Sequence, residues 1–113
     1  MTALIRPEGD PVVVQLSGEL DTYTVPEIRD AFDALSLGPG AVVVVDLSDV
    51  TFLDSSGLGA IFALHHRLAA VGGRLRLVCS GVTLRLVELL HIDQVIEVFT
   101  ALDLALEPVA GPR

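Results

Sequence analysis

The sequence predicts a single α/β domain whose sheet is mostly parallel, and three observations carry that expectation. The chain has 113 residues, a length that suits one domain with one core. Apolar runs of strand length alternate with segments of helical periodicity along most of it, and strands separated by helices need crossover connections that leave neighbours parallel. The run Val42-Val43-Val44-Val45 is β-branched at every position, the pattern of a strand covered on both faces.

In chain order, Val12-Val13-Val14-Gln15-Leu16-Ser17 reads as a strand. Leu4 and Ile5 supply a short paired strand through the turn Glu8-Gly9-Asp10-Pro11. Gly18-Glu19-Leu20-Asp21 leaves the strand. Thr24 with Glu27 reads as a capping box, Pro26 being tolerated in a first turn. The helix behind it turns Val25, Ile28, Ala31, Phe32 and Leu35 inward and Asp30 and Asp33 outward, and stops at Leu37-Gly38-Pro39-Gly40. After the central strand, residues 46–53 read as a polar-apolar connection. A second helix begins at Asp54-Ser55-Ser56-Gly57, with Leu58, Ile61, Phe62, Leu64 and Leu68 mostly on one stripe. Gly72-Gly73 ends it in a left-handed stop, with Arg67 near the negative end of its dipole.

Arg74-Leu75-Arg76-Leu77-Val78-Cys79 is the next strand. Ser80 caps a helix over residues 82–91 with Val82, Leu86, Leu89 and Leu90 inward. Residues 94–99 form the last strand. Thr100 and Asp103 resemble a capping box for a short helix that ends before Pro108, and the tail to Arg113 frays. No internal repeat or linker interrupts the order.

Composition excludes several classes. The chain is 51% apolar, too much for disorder, yet only 4% aromatic, so its core is Val, Leu, Ile and Ala. No wholly apolar run is longer than that of residues 41–45, far short of the roughly 20 residues of a membrane helix. The start lacks a basic region followed by an apolar stretch. A soluble, cytoplasmic protein is expected. The net charge is -8, and the seven basic residues are all scattered arginines, which argues against nucleic acid and suits a partner with a basic face. The single Cys79 allows no internal disulfide and no multi-cysteine metal site; it is expected as a small buried strand residue.

Enzyme readings fail on spacing. A hydrolase nucleophile elbow needs Gly two residues before the serine, which neither Ser55 nor Ser56 has. Adjacent His65-His66 lie about 100° apart on a helix and should diverge, whereas a shared metal wants His three or four residues apart. His91 suits a helix C-terminus. Asp46, Asp49 and Asp54 form an acidic group at the strand edge, with Mg²⁺ binding a minor reading. Gly57-Leu58-Gly59 would need a third glycine where Phe62 stands, and without lysine there is no P-loop. No cofactor or metal is expected. Two glycines in a first helical turn, each costing about 1 kcal/mol against Ala, instead point to close approach by a strand, loop or partner. On local sequence, Asp54 or Ser55 serves as N-cap, and phosphorylation of Ser55 or Ser56 is the functional alternative to capping alone.

The stretch Val45-Asp46-Leu47-Ser48-Asp49-Val50-Thr51-Phe52-Leu53-Asp54-Ser55-Ser56-Gly57-Leu58-Gly59 resembles the signature of bacterial STAS domains of the anti-sigma factor antagonist type. Leu16-Ser17-Gly18-Glu19-Leu20-Asp21 is similar to the family's segment after its second strand, and Gly72-Gly73 with the following strand to the next landmark. The resemblance spans about residues 10–107 and implies one STAS domain, a mixed, mostly parallel sheet with helices mainly on one face. It implies a regulator that binds a serine-kinase anti-sigma factor, freeing a sigma factor, and that is released when the kinase phosphorylates it. The resemblance further implies a metal-dependent serine phosphatase that resets it. By matched position the phosphoacceptor is Ser55 rather than Ser56. Asp21 takes the kinase-contacting acidic position, and Asp54, Ser56, Gly57, Leu58 and Gly59 border the same surface. His65-His66 has no counterpart in that pattern.

A phosphate adds about -1.5 to -2 charge, and a helix N-terminus favours it through its N–H groups and dipole. Phosphorylation should then leave the helix intact and act across the interface. The competing class is a non-switching STAS module of a stress-signalling scaffold or lipid-transport complex, and a nucleotide binder or hydrolase is a distant third. The sigma factor, the kinase, the stimulus and the oligomeric state when free are not written in the sequence.

Overall fold

A computed structural model describes residues 2–6 and 11–107. The element order is β1 (Thr2–Arg6), β2 (Val12–Leu20), α1 (Val25–Asp33), β3 (Val42–Leu53), α2 (Ser55–Ala70), β4 (Arg74–Val78), α3 (Gly81–Leu89), a 3-10 turn (Ile92–Gln94), β5 (Glu97–Phe99) and α4 (Leu102–Ala105). The turn expected around Glu8-Gly9-Asp10 and the tail beyond Glu107 lie outside the described residues.

The strands lie side by side in chain order, β1 antiparallel to β2 and the rest parallel. Each parallel connection steps one strand in the same direction. Crossovers of a single hand then bring all their helices to one face. α1, α2 and α3 accordingly share a core with alternate strand residues: Ile28, Phe32, Ile61, Leu64, Leu68 and Val87 pack with Val14, Leu16, Val43, Val45, Leu75 and Leu77. The intervening Val13, Val44 and Val78 point to the second face, where Ala105, Phe99 and Leu102 cover them. That two-sided burial is the reason the central run is apolar throughout.

Arg76, only 4% exposed, is a buried charged residue of the second face. Its Nη1 donates to the carbonyls of Ala105 at 2.9 Å and Glu107 at 2.7 Å, and its guanidinium lies 5.6 Å from the Phe99 ring. It ties the end of α4 to β4, a role its alternating strand pattern with exposed Arg74 does not announce. Arg67 also works away from its own helix. It donates from α2 to the carbonyls of Phe32 at 2.9 Å and Leu35 at 3.4 Å, so it caps the negative end of α1.

Several boundaries differ from the sequence expectation. β2 runs on to Leu20 and β3 to Leu53. β3 gains a residue on β2 between Gln15 and Ser17 and again between Gly18 and Glu19. Each bulge swaps which residues face inward, so buried Leu47, Val50 and Leu53 mimic an irregular connection in the sequence. α1 ends at Asp33, before buried Leu35. α3 buries Thr83 and Val87 and leaves Val82, Leu89 and Leu90 exposed; a short helix apolar on most sides has no clean stripe to set its phase. β5 starts at Glu97 because the 3-10 turn takes up the residues before it. α4 is capped at Ala101 without a side-chain bond, so the Thr100–Asp103 box does not form.

Cys79 is fully buried at the end of β4, as expected. Burial pushes its thiol from 9.0 to about 11. The thiol thus ionises more readily in the unfolded chain, and its contribution to stability is intact below about pH 9.0 and lost as pH rises through about 11. In urea melts taken from neutral to alkaline pH, Cys79→Ala should lose less stability than the wild type over that window; parallel curves would refute this.

Candidate functional site

β2 and β3 run out together, Leu20 opposite Leu53, and the next residues are Asp21 and Asp54. The Asp54 N–H donates to the Leu20 carbonyl at 3.1 Å. Pairing of two parallel neighbours therefore brings distant segments to one rim, at the carboxyl edge where open α/β sheets carry their sites.

Each aspartate folds its own turn. Asp54 is the α2 N-cap, with extended backbone (φ -111, ψ -173), and its Oδ1 accepts from the N–H groups of Ser56 at 2.9 Å and Gly57 at 3.2 Å. Asp21 Oδ1 accepts from Tyr23 N–H at 2.9 Å and Thr24 N–H at 3.1 Å. The Thr24 hydroxyl accepts from Asp21 N–H at 3.0 Å and donates to the Glu19 carbonyl at 2.7 Å. Thr24 thus makes no cap bond to α1, and the Thr24–Glu27 box is absent: its helical backbone (φ -96, ψ -16) turns the hydroxyl back toward β2.

The two serines between these turns differ. Ser55, the first residue of α2, is exposed, and among the described residues its hydroxyl has no hydrogen-bond partner. Ser56 is half-buried, its Oγ 3.1 Å from Thr22 Oγ1. Beside them Tyr23 stands 90% exposed, while Leu58 packs half-buried against the core. The helix N–H groups were expected to receive a phosphate on Ser55. Those of Ser56 and Gly57 are already held by Asp54, so a phosphoryl group there would meet a carboxylate at the favourable end of the helix dipole.

Gly57 and Gly59 also part company. A Cβ on buried Gly57 would stand 2.7 Å from Leu53 Cδ1 and 3.0 Å from the Leu20 carbonyl oxygen, whereas one on Gly59 would meet only Arg29 Nη2 at 3.7 Å. Close approach explains Gly57 and does not explain Gly59. Gly59→Ala should raise stability by about 0.5–1 kcal/mol through helix propensity, and Gly57→Ala should lower it by about 1–3 kcal/mol through overpacking. Thermal melts of the two variants should shift in opposite directions; shifts of the same sign would disprove the distinction.

The remaining candidates stay apart from the rim. Asp46 is buried and accepts from the Ser48 N–H at 2.9 Å and the Ser48 hydroxyl, while Asp49 is exposed. Among the described residues no three His, Cys, Asp or Glu side chains are placed to hold a metal ion. The His65 and His66 rings do not diverge as expected; their centroids are 5.4 Å apart and the rings tilted by 53°. His91 lies just beyond α3 in a left-handed conformation, φ 56.

A STAS domain family model matches residues 3–105. The chain belongs to the STAS domain family. It is 30% identical over 92 residues to the anti-sigma-B factor antagonist of Listeria monocytogenes, covering 80% of this chain and 81% of that protein. Among solved structures, it is similar to an anti-sigma factor antagonist from Mycobacterium paratuberculosis, with a TM-score of 0.78, 31% identity and coverage of 93% of this chain and 90% of that one. It is also similar to the anti-sigma factor antagonist SpoIIAA in its unphosphorylated form, with a TM-score of 0.59, 27% identity and coverage of 83% and 97%. No helix of the described residues of this STAS domain is long and apolar enough to cross a membrane. Its rim also contains two residues that sequence reasoning passed over, Thr22 and Tyr23. Their only sequence signal is the polar turn directly after Asp21.

Proposed function

We propose that this STAS protein is an anti-sigma factor antagonist of the cytoplasm, acting by binding and by being modified rather than as an enzyme. Its unphosphorylated form binds a serine-kinase anti-sigma factor and so frees a sigma factor; phosphorylation of Ser55 ends the complex, and a metal-dependent serine phosphatase restores it. The observation that carries this reading is the exposed Ser55 hydroxyl, without a hydrogen-bond partner among the described residues, at the rim built by Asp21 and Asp54. Membership of the STAS family and the printed names of the relatives support it.

In the transfer, a bond forms between Ser55 Oγ and the γ-phosphorus of kinase-bound ATP. The bond to the bridging oxygen breaks, its electron pair leaves on ADP, and the hydroxyl proton passes to a base of the kinase. The product carries about -1.5 to -2 charge beside the Asp54 and Asp21 carboxylates. Because Asp54 already holds the N–H groups of Ser56 and Gly57, that charge is presented outward, where it opposes acidic groups of the partner.

The test is incubation with ATP and a panel of serine-kinase anti-sigma factors, including the anti-sigma-B factor opposed by the Listeria relative, followed by mass spectrometry. Transfer to Ser55, lost in Ser55→Ala, is expected. Binding without modification would support the scaffold module instead. Nucleotide turnover by the chain alone would overturn the proposal.

A further inference from the structure

We infer that Thr22 is a positioning residue that directs phosphoryl transfer to Ser55 by holding Ser56 back, an inference that rests on the kinase-substrate reading above. Adjacent serines in one helical turn carry equivalent nucleophiles, and no local rule of sequence prefers either. The tertiary structure makes them unequal. Ser55 Oγ is exposed and unpartnered among the described residues. Ser56 Oγ lies 3.1 Å from Thr22 Oγ1, on a turn far away in the chain.

Both sides of that contact are fixed. Thr22 sits in the turn that Asp21 Oδ1 closes through the N–H groups of Tyr23 and Thr24. The Ser56 backbone is held by Asp54 Oδ1 at 2.9 Å, and the next residue, Gly57, is wedged against Leu20. Ser56 therefore turns outward only by rotating its hydroxyl away from Thr22. To attack phosphorus, Ser56 Oγ has to give up its bond to Thr22 before its own bond to phosphorus forms and the bond to ADP breaks. Ser55 gives up nothing. Thr22 is itself exposed, so its replacement leaves the core intact.

Wild type, Thr22→Val, Thr22→Ser and Ser55→Ala should be incubated with the kinase panel and ATP. Occupancy of each serine is then read by phosphopeptide fragmentation, with circular dichroism to check the fold. The wild type should carry its phosphate on Ser55. In Thr22→Val the ratio of Ser56 to Ser55 phosphate should rise about 3- to 10-fold, the factor one net hydrogen bond is worth, and Thr22→Ser should keep the wild-type ratio. Weaker kinase docking or lower stability reduces both sites together and leaves the ratio alone. Wild-type transfer to Ser55 with an unchanged ratio in Thr22→Val overturns this inference but not the parent reading. Absence of transfer to the wild type from every kinase overturns both.

Discussion

Gly73→Ala is expected to destabilise the domain by about 3 kcal/mol or more, lowering Tm by roughly 12–24 °C at about 4–8 °C per kcal/mol for a domain of this size. A Cβ on Gly73 would stand 2.2 Å from the Ala41 carbonyl oxygen and 3.1 Å from its carbon. No rotamer relieves a clash between two backbones, and that carbonyl already accepts from Arg74 N–H at 2.9 Å as β4 joins β3. Gly73 also completes the C-terminal motif of α2, its N–H donating to Leu68 at 2.8 Å while Gly72 N–H donates to Ala69 at 3.1 Å. Gly72 is glycine for a different reason, a left-handed φ of 70 in open space, so Gly72→Ala should cost only about 1–2 kcal/mol. Equal thermal shifts for the two variants would contradict the steric account of Gly73.

Ser55→Glu is expected to weaken binding to the kinase anti-sigma factor about 100-fold, or about 2.7 kcal/mol, with Tm nearly unchanged. The position is exposed and its hydroxyl has no bond to lose among the described residues. Ser56→Glu should instead lower Tm, since it removes the contact with Thr22 and places a charge at a half-buried site. Calorimetric titration and thermal melts on the same samples separate the two effects. A Ser55→Glu variant that binds like the wild type would sink the across-interface account, as would a phosphorylated chain found unfolded by circular dichroism.

The parts of the fold legible in the sequence are those with a clean local pattern. Val42 to Val45 announced a strand buried on both faces, and the α2 stripe and the Gly72-Gly73 stop announced where its helix lies and ends. The short, mostly apolar α3 had no stripe to read, and the two bulges disguised the second half of β3. At the site, Asp54 was legible as a cap. The Thr24–Glu27 pattern makes no box because Asp21 accepts from the Thr24 N–H while the Thr24 hydroxyl donates to the Glu19 carbonyl.

By itself, then, the sequence determined an α/β order, a valine-rich central strand and a helix that opens on Asp54-Ser55-Ser56-Gly57, because periodicity, turn chemistry and capping are local. Only the tertiary structure decided that Asp21 and Asp54 share a rim, that Gly57 is wedged against Leu20 while Gly59 is not, and that Ser56 is bound to Thr22 while Ser55 is left open. Those outcomes depend on the register between β2 and β3, and register is set by the packing of whole strands rather than by any short stretch of residues.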